Sequence, residues 1–422
     1  MAIVEKGKPN NFSSLKIVWV SFLILDIHLH RTSQLEILRN LAKRGYKTSL
    51  VALRSQNEIQ SENPQVRIIS IPLRYVPMVS PVIFALTLFF FLPFYIIVSK
   101  PDIIITEPDI SILGFTLAFP FSKSKRIKLI LDVRSTPVET LGFRGRLRAL
   151  CFTASVLIAR KFFNGMTIIT PLMKEEVCKK FNIDPKFVGV WSSGVSATLF
   201  NPNSYVSEGE ELRRKLGLSK KFIIFYHGAF SANRGLTETI KAMCMVKRTY
   251  SDVIFFLLGT GPIANSLKDL IQMKGLQDNV VIHSSVEYAD VPKYIAMSDV
   301  GIVPLPNHPY WRFQCPLKLL EYLAMNKVVI VTDIPAHRLI IGNENCGIYI
   351  ASTTPAEIAR SIMYAYRNKE KLGEWGAIGR TIIDRKYTWE KVARDLENYL
   401  LSIDDKVALA AKYGNSNCQH MY

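Results

Sequence analysis

Several protein classes are excluded by what this chain has little of. Its 422 residues hold six cysteines, at positions 151, 178, 244, 315, 346 and 418. None forms a CxxC pair or falls at metal-ligand spacing, so neither a disulfide framework nor a zinc knuckle organises the fold; they read as small core residues in a reducing compartment. Acidic residues are outnumbered, with 35 Asp and Glu against 53 Lys and Arg, a formal net charge of +18. Such an excess asks for an anionic partner: a phosphorylated ligand, an acidic membrane surface or nucleic acid. No Asp-x-Asp pair stands at a strand end and no His/Cys cluster occurs, so no metal site is expected. The first apolar run, Ile17 to Ile27, is broken by Ser21 and Asp26 and lacks a clear small-residue cleavage site. Ile17–Leu25 is expected as a buried strand, and the run is not read as a signal peptide. Short repeats and low-complexity stretches are absent.

What is present is a long alternation of strand-like and helix-like segments. A chain of 422 residues with 49% apolar content is too long for one ordinary core and rich enough for two. "LKIVWVSFLIL", "KTSLVAL", "VRIISIPL", "PDIIIT", "IKLILDV" and "GMTIITP" read as strands in the first half. Thr32–Arg44 and Ile110–Phe121 read as helices between them. A polar stretch, 201–221, then leads into a second alternation, from "FIIFYHG" to "GIYI". Strand runs alternating with helices argue for parallel sheets covered on both faces. The expected fold class is α/β, with two Rossmann-like doubly wound domains facing a cleft. Residues 1–200 form the first, acceptor- and membrane-facing; 201–385 form the second. Residues 386–422 make a C-terminal helix and tail that cross back to the first.

Two segments bear on membranes. Val82–Val98, "VIFALTLFFFLPFYIIV", runs 17 residues without a charge. A spanning helix wants about 20. Three readings stay open: a transmembrane helix, a buried core helix, and a helix lying in one leaflet. Its crowd of aromatics favours the last. Phe143–Phe163 carries Arg144, Arg146, Arg148, Arg160 and Lys161 around an apolar centre. It reads as a basic surface helix, or as an amphipathic one touching an anionic membrane.

Ligands of open α/β sheets bind beyond the carboxyl ends of strands. Three loops of the second half have glycines and oriented polar groups there. "HGAFSANRGL" offers Gly228, where backbone can approach a ligand, and Arg234, at the start of a helix whose free amides suit an anion. Gly259-Thr260-Gly261-Pro262 forms a tight turn. "CPLKLLEYLA" places Pro316 at a helix start, frees the amides of Leu317 and Lys318 for a phosphate, and sets Glu321 one turn in as an acceptor for a ribose diol. Lys318 and Glu321, three apart, share a face, and a plain surface ion pair is the alternative. In the first half, Asp132 and Arg134 end the "IKLILDV" strand. Asp132 is a candidate to orient an acceptor hydroxyl, with a helix cap or a pair with Arg134 as the alternative. His28 and His30 are further acceptor-side candidates, each more readily structural.

Taken together, "HGAFSANRGL", "LGTGP" and "PLKLLEYLAMNKVVIVTDIP", in that order and preceded by "GVSATLFNP", resemble the C-terminal domain of the retaining GT-B-fold glycosyltransferases of family 4. The resemblance covers about residues 190–400 well and the first half in outline. It implies a nucleotide-sugar donor, a UDP- or GDP-sugar, as substrate with no cofactor, bound mostly by the second domain, and a transfer that retains configuration. It implies a ribose role for Glu321, the second glutamate of the family's Glu-x7-Glu signature. It also implies that Arg234 stands in for a lysine on the diphosphate, and that the 259–262 turn lines the nucleotide site. Phe313 stands where the first glutamate is usual, leaving Gln314 or backbone groups to hold the sugar. Ala229 replaces a usual basic residue, and "LDIHLHRTS" replaces the usual glycine pair of the first loop. Metal-independent transfer follows, with Arg234, Lys318 and helix N-termini neutralising the leaving diphosphate; Asp132, Arg234 and Lys318 are the catalytic candidates. The expected acceptor is lipid-linked or a glycan, at the cytoplasmic face of an anionic membrane engaged through 82–98 and 143–163. The runner-up is a nucleotide-sugar epimerase of the same fold. Nucleic-acid binding fits poorly, because the basic residues are dispersed.

Overall fold

The computed structural model describes residues 15–24, 30–53, 65–71, 80–109, 127–137 and 142–414. The chain divides into two units, Met1–Ser192 with Val392–Tyr422, and Ser193–Lys391. This division precedes the expected 200/201 boundary, and the residues from Val392 onward are part of the first unit.

The first unit is built on seven strands, β1 (Lys16–Ile24), β2 (Lys47–Leu53), β3 (Val66–Ile71), β4 (Ile103–Thr106), β5 (Lys128–Val133), β6 (Gly165–Ile168) and β7 (Val188–Val190). They lie in the order β3-β2-β1-β4-β5-β6-β7, every pair parallel. The second has β8 (Phe222–His227), β9 (Val253–Leu258), β10 (Val280–His283), β11 (Val300–Val303), β12 (Val328–Thr332) and β13 (Gly347–Ile350). Their order is β10-β9-β8-β11-β12-β13, again all parallel. Both are the doubly wound α/β units the alternation predicts. The strands β8, β9, β11 and β12 are buried from end to end. That explains their unbroken Phe/Ile/Val/Leu runs, since a sheet with helices on both faces has no polar side to alternate with. Each large apolar side chain so buried contributes about 1.5–3 kcal/mol over its exposed state.

Helix ends follow local chemistry. His30–Lys43 stops just before Gly45, and the expected helix at 236–250 is Leu236–Thr249. The helical stretch expected over 355–401 is instead three helices, Pro355–Arg367, Leu372–Ile382 and Trp389–Gly414, with a wide turn at Ile383–Tyr387 before the last. The expected helix Ile110–Phe121 lies outside the described residues.

The last helix is fastened within the first unit by Tyr399. Its hydroxyl donates to the Phe187 carbonyl and accepts from the Met166 amide at 3.0 Å. Its ring lies on Gly189, where a Cβ would come within 2.3 Å of it. Glu397 on the same helix accepts from the Tyr46 hydroxyl at 2.9 Å.

In the second unit His337 is wholly buried, with Nδ1 2.7 Å from the Thr332 carbonyl. Burial holds its ring down to about 4. In the unfolded chain the same ring takes up its proton near 6.5. Its contribution to stability is therefore complete above pH 6.5 and is lost as pH falls toward 4, by roughly 2–4 kcal/mol in all. Urea unfolding between pH 7 and 4 should show a shallower acid loss for His337→Gln than for the wild type; equal slopes would refute this.

Candidate active site

The order of the second sheet reverses between β8 and β11, and the chain leaves these neighbours in opposite directions. This is the switch point at which doubly wound sheets bind ligands. Three segments converge on it: the loop after β8, the turn after β9, and the helix Leu317–Ala324 that follows β11.

Lys318 is the unusual group here. Its side chain is nearly sealed, at 9% exposure, and its Nζ has no hydrogen-bond partner. The ammonium sits 3.7 Å from the centroid of the Tyr226 ring, which supplies a cation–π attraction but no proton acceptor. Burial first, and then the charge of Arg234, pull its pKa well below the ordinary lysine value, with Glu321 opposing. The alternative reading, an ion pair between Lys318 and Glu321, is not what the structure shows. Above the ammonium lies the backbone of Gly228, with φ +114°, where a Cβ would come 3.2 Å from Nζ. A side chain there is doubly disfavoured, by the left-handed φ and by the cation beneath.

Glu321 is 2% exposed, with one oxygen hydrogen-bonded and the other close to an imidazole nitrogen that makes no hydrogen bond. Oε1 accepts from the Tyr288 hydroxyl at 2.8 Å, and Oε2 lies 3.1 Å from His227 Nε2. A carboxylate offers about four lone-pair sites, so two such neighbours leave room for further donors. The helix that carries it begins at Leu317 with Pro316 as its cap and no side chain satisfying its first amides. Those amides form a positive end close to the buried ammonium.

Arg234 ends a short turn, Ala232–Arg234, instead of opening the following helix, which starts at Leu236 behind Gly235. Its Nε donates to Ser231 Oγ at 3.0 Å, and its guanidinium carbon lies 5.1 Å from the Trp311 ring. Trp311 in turn donates to the Asn233 carbonyl at 3.0 Å, tying the loop after β11 to the loop after β8. Gly259, Gly261 and Pro262 form the turn after β9. The Gly228 amide donates to Leu258, and a Cβ on Gly259 would strike the Gly228 carbonyl at 2.0 Å. The two glycine loops are thus in backbone contact. Gln314, beside Phe313, has a buried Nε2 without a partner.

The fold therefore gathers Gly228, Arg234, Gly259, Gly261, Pro262, Pro316, Leu317, Lys318 and Glu321 beyond the carboxyl ends of the central strands of the second sheet. Sequence reasoning missed three members. Tyr226 and His227, the last residues of β8, looked like a strand end, and Tyr288 looked like loop. "YHG" at a strand's carboxyl end was the one available signal.

Asp132 and Arg134 belong to the first unit. Asp132 is wholly buried; its Oδ1 accepts from Thr167 Oγ1 at 2.6 Å and Trp191 Nε1 at 2.8 Å. Burial raises its pKa, against Arg134, Thr167 and Trp191. Arg134 donates to the Trp191 carbonyl at 2.8 Å and stacks 3.6 Å from its ring. Both side chains hold Trp191, which is a positioning arrangement. His28 lies outside the described residues, and His30 opens the helix His30–Lys43.

Residues 208–381 match the family model of glycosyl transferases group 1. The chain is 25% identical over 238 residues to an uncharacterized glycosyltransferase, MJ1607 of Methanocaldococcus jannaschii, covering 54% of this chain and 58% of that protein. It thus spans little more than half the length of that curated relative. Among solved structures, a glycosyltransferase from Rickettsia africae superposes with a TM-score of 0.73 at 16% identity, over 92% of this chain and 98% of that one. Anabaena HepE in complex with UDP superposes with 0.70 at 14%, over 92% and 100%. These likenesses bear on the fold, and agree with the GT-B class expected from the sequence. The matched segment lies within the second unit, so it is this half of the chain that is similar to the glycosyl transferases group 1 model.

An unpartnered buried ammonium destabilises the ligand-free protein. Lys318→Met should raise its unfolding free energy by about 1–3 kcal/mol in urea, the penalty of an unsatisfied buried polar group. A loss of stability instead would show that Lys318 is already satisfied.

Proposed function

We propose that this protein is a glycosyltransferase that moves a sugar from a nucleotide-diphosphate donor to a lipid-linked or glycan acceptor at a membrane surface. The observation that carries the reading is Lys318: a sealed cation with no acceptor, beside Arg234 and an uncapped helix N-terminus, inside a glycosyl transferases group 1 domain. A diphosphate supplies the missing charge. Lys318, Arg234 and the amides of Leu317 and Lys318 then neutralise the leaving nucleotide as the glycosidic bond breaks. Glu321 accepts from the ribose hydroxyls while Tyr288 and His227 hold its orientation. The neutralising cations are the protein's own, so transfer proceeds without a metal, with retention as the family resemblance implies. UDP in the HepE complex supports a uridine or related nucleotide. The family domain does not favour an epimerase.

The membrane part rests on the helix Ser80–Ser99, which is long and apolar enough to cross a bilayer. Phe84, Leu88, Leu92, Tyr95 and Ile96 are buried along one side of it. Ile83, Leu86, Phe90, Phe94 and Ile97 are bare along the other. A helix docked along its length with an apolar face left open suits insertion into one leaflet better than a span. The helix Gly142–Phe162 adds exposed Phe143, Leu147 and Leu150 beside exposed Arg146 and Arg148, the mixture that an anionic headgroup layer accepts. The reading places the protein on the cytoplasmic face as a monotopic or peripheral enzyme.

Two experiments test this. A thermal-shift panel of UDP- and GDP-sugars should find a stabilising donor, and Glu321→Ala should weaken it by about 10–100-fold, the worth of hydrogen bonds to a charged group. An unchanged dissociation constant removes the ribose role, and nucleotide release that ignores added lipid extract removes transfer. In the second, Phe90→Ser with Phe94→Ser should reduce binding to phosphatidylglycerol/phosphatidylcholine vesicles at least ~10-fold, given the apolar area lost. Undiminished binding refutes insertion of this face.

A further inference from the structure

The amino ends of the second unit's strands enclose a cavity of about 510 Å³, within the size range of small-molecule sites. Its walls include Phe222, Asp252, Asp299 and Lys327, which stand at or just before the starts of β8, β9, β11 and β12. The candidate active site lies beyond the opposite ends of the same strands. The six residues of β8, at about 3.3 Å each, put roughly 15–20 Å between the two edges, so this is a separate opening.

The turn that leads into β12 carries the unusual groups. The helix Leu317–Ala324 ends in a Schellman motif: the Asn326 amide donates to the Leu323 carbonyl at 3.2 Å, and the Lys327 amide to the Tyr322 carbonyl at 2.9 Å. Asn326 is its left-handed residue, with φ +56°. Glycine is usual at that position and would serve the backbone bonds equally well. Asn326 instead sets a side-chain amide in the cavity wall, and its Oδ1 is buried without a partner. Lys327 follows. Its Nζ donates to the Ala296 carbonyl at 3.1 Å and the Ser298 carbonyl at 2.6 Å, which leaves one of three ammonium protons for the cavity. Burial, opposed by Asp299 and aided by Arg213, brings its pKa down to about 8, so it keeps most of its charge at neutral pH.

The lining says which ligand. Lys220, Lys221 and Lys369 join Lys327, giving four cations. Three carboxylates face them, Asp252, Asp299 and Glu370, but Asp299 is already paired with Arg213. Cations are thus in excess, which selects an anion. Asp252 accepts from the Tyr366 hydroxyl at 2.7 Å through Oδ2. Its other oxygen and Asn326 Oδ1 are acceptors, which hydroxyls can satisfy and an anion cannot. Room for far more than a lone phosphate, with acceptors beside the cations, describes a phosphoryl group carried on a polyol.

We propose that this cavity binds a sugar phosphate, with the phosphoryl group against Lys327 and the lysines at the mouth, and the sugar hydroxyls on Asn326 and Asp252. The site does not depend on the glycosyltransferase reading, since it occupies the other edge of the sheet and needs no transfer.

The test is calorimetry on the full chain with glucose 1-phosphate, glucose 6-phosphate and mannose 6-phosphate. At least one should bind. Inorganic phosphate and glucose should each bind at least ~10-fold more weakly, because each lacks half of the contacts. Lys220→Glu with Lys369→Glu, both at exposed positions, should weaken the sugar phosphate at least ~10-fold. Asn326→Gly keeps the left-handed turn and removes the unsatisfied oxygen. It should unfold in urea no earlier than the wild type, yet bind the sugar phosphate ~3–10-fold more weakly, a split that a purely structural asparagine would not give. Lys318→Met should bind it as the wild type does. The proposal is overturned if no sugar phosphate binds, or if phosphate or glucose alone binds as tightly. It is equally overturned if the lysine reversals or Asn326→Gly leave the affinity unchanged, or if Lys318→Met removes binding, which would put the ligand at the other edge. Should the lysine variant fail to fold, Asn326→Gly still decides. Failure of the donor reading would appear separately, as no thermal shift with any nucleotide-sugar.

Discussion

Parallel pairing is the constraint from which the rest follows. Every strand in both sheets runs the same way as its neighbours, so each connection must cross over the sheet before the next strand can begin. When the chain has built outward to one edge, it must return to the middle to build the other. That return happens once in each unit, at β1/β4 and at β8/β11. It leaves neighbouring strand ends whose loops part in opposite directions. Ser21 and Glu107 lie at the first of these places, and the loops and helix that bring Gly228, Lys318 and Glu321 together lie at the second.

The two gatherings have opposite character. In the second unit the unsatisfied charge is a cation, Lys318, and the nearby Arg234 adds to its cost. In the first, the unsatisfied atoms are acceptors around Glu107 and Asp132. Each arrangement works against folding stability, by burying charge or polarity without a full set of partners. Lys318 and Glu321 show the contrast on a single helix. One turn apart, the carboxylate is held by Tyr288 and His227, while the ammonium has only an aromatic face. Had the two simply paired with each other, the helix would be cheaper and the site would have no free charge.

How much of this the sequence revealed depends on the range of the interaction. The strands of β8, β9 and β12 are legible because full burial writes itself as an unbroken apolar run. Gly228, Gly259 and Glu321 are legible because strand-end glycines and a charge in an apolar helix are local anomalies. Tyr226, His227 and Tyr288 are not, since each matters only through a residue distant in sequence: Tyr226 through Lys318, His227 and Tyr288 through Glu321. Asp132 misled for the same reason. At a strand end it reads as available, and only the folded sheet brings Thr167 and Trp191 to cover it. Glu107 went unnoticed in "IIITEPDI" because its register with Ser21 depends on which strand pairs with β4. The role of Val392–Tyr422 in the first unit likewise depends on contacts that no local pattern encodes.

The seat of Tyr399 on Gly189 has a consequence for how the molecule comes into being. The second unit is one continuous stretch of chain, whereas the first draws on both ends. During synthesis the early strands emerge long before the helix that closes over them, and the slot beside Gly189 stays empty until then. The usual order, in which the N-terminal domain is finished first, does not extend to a unit that needs residues from Val392 onward. The later unit can complete its core while the earlier one waits on the ribosome for its last helix, with its apolar surface in the care of whatever chaperones attend nascent chains.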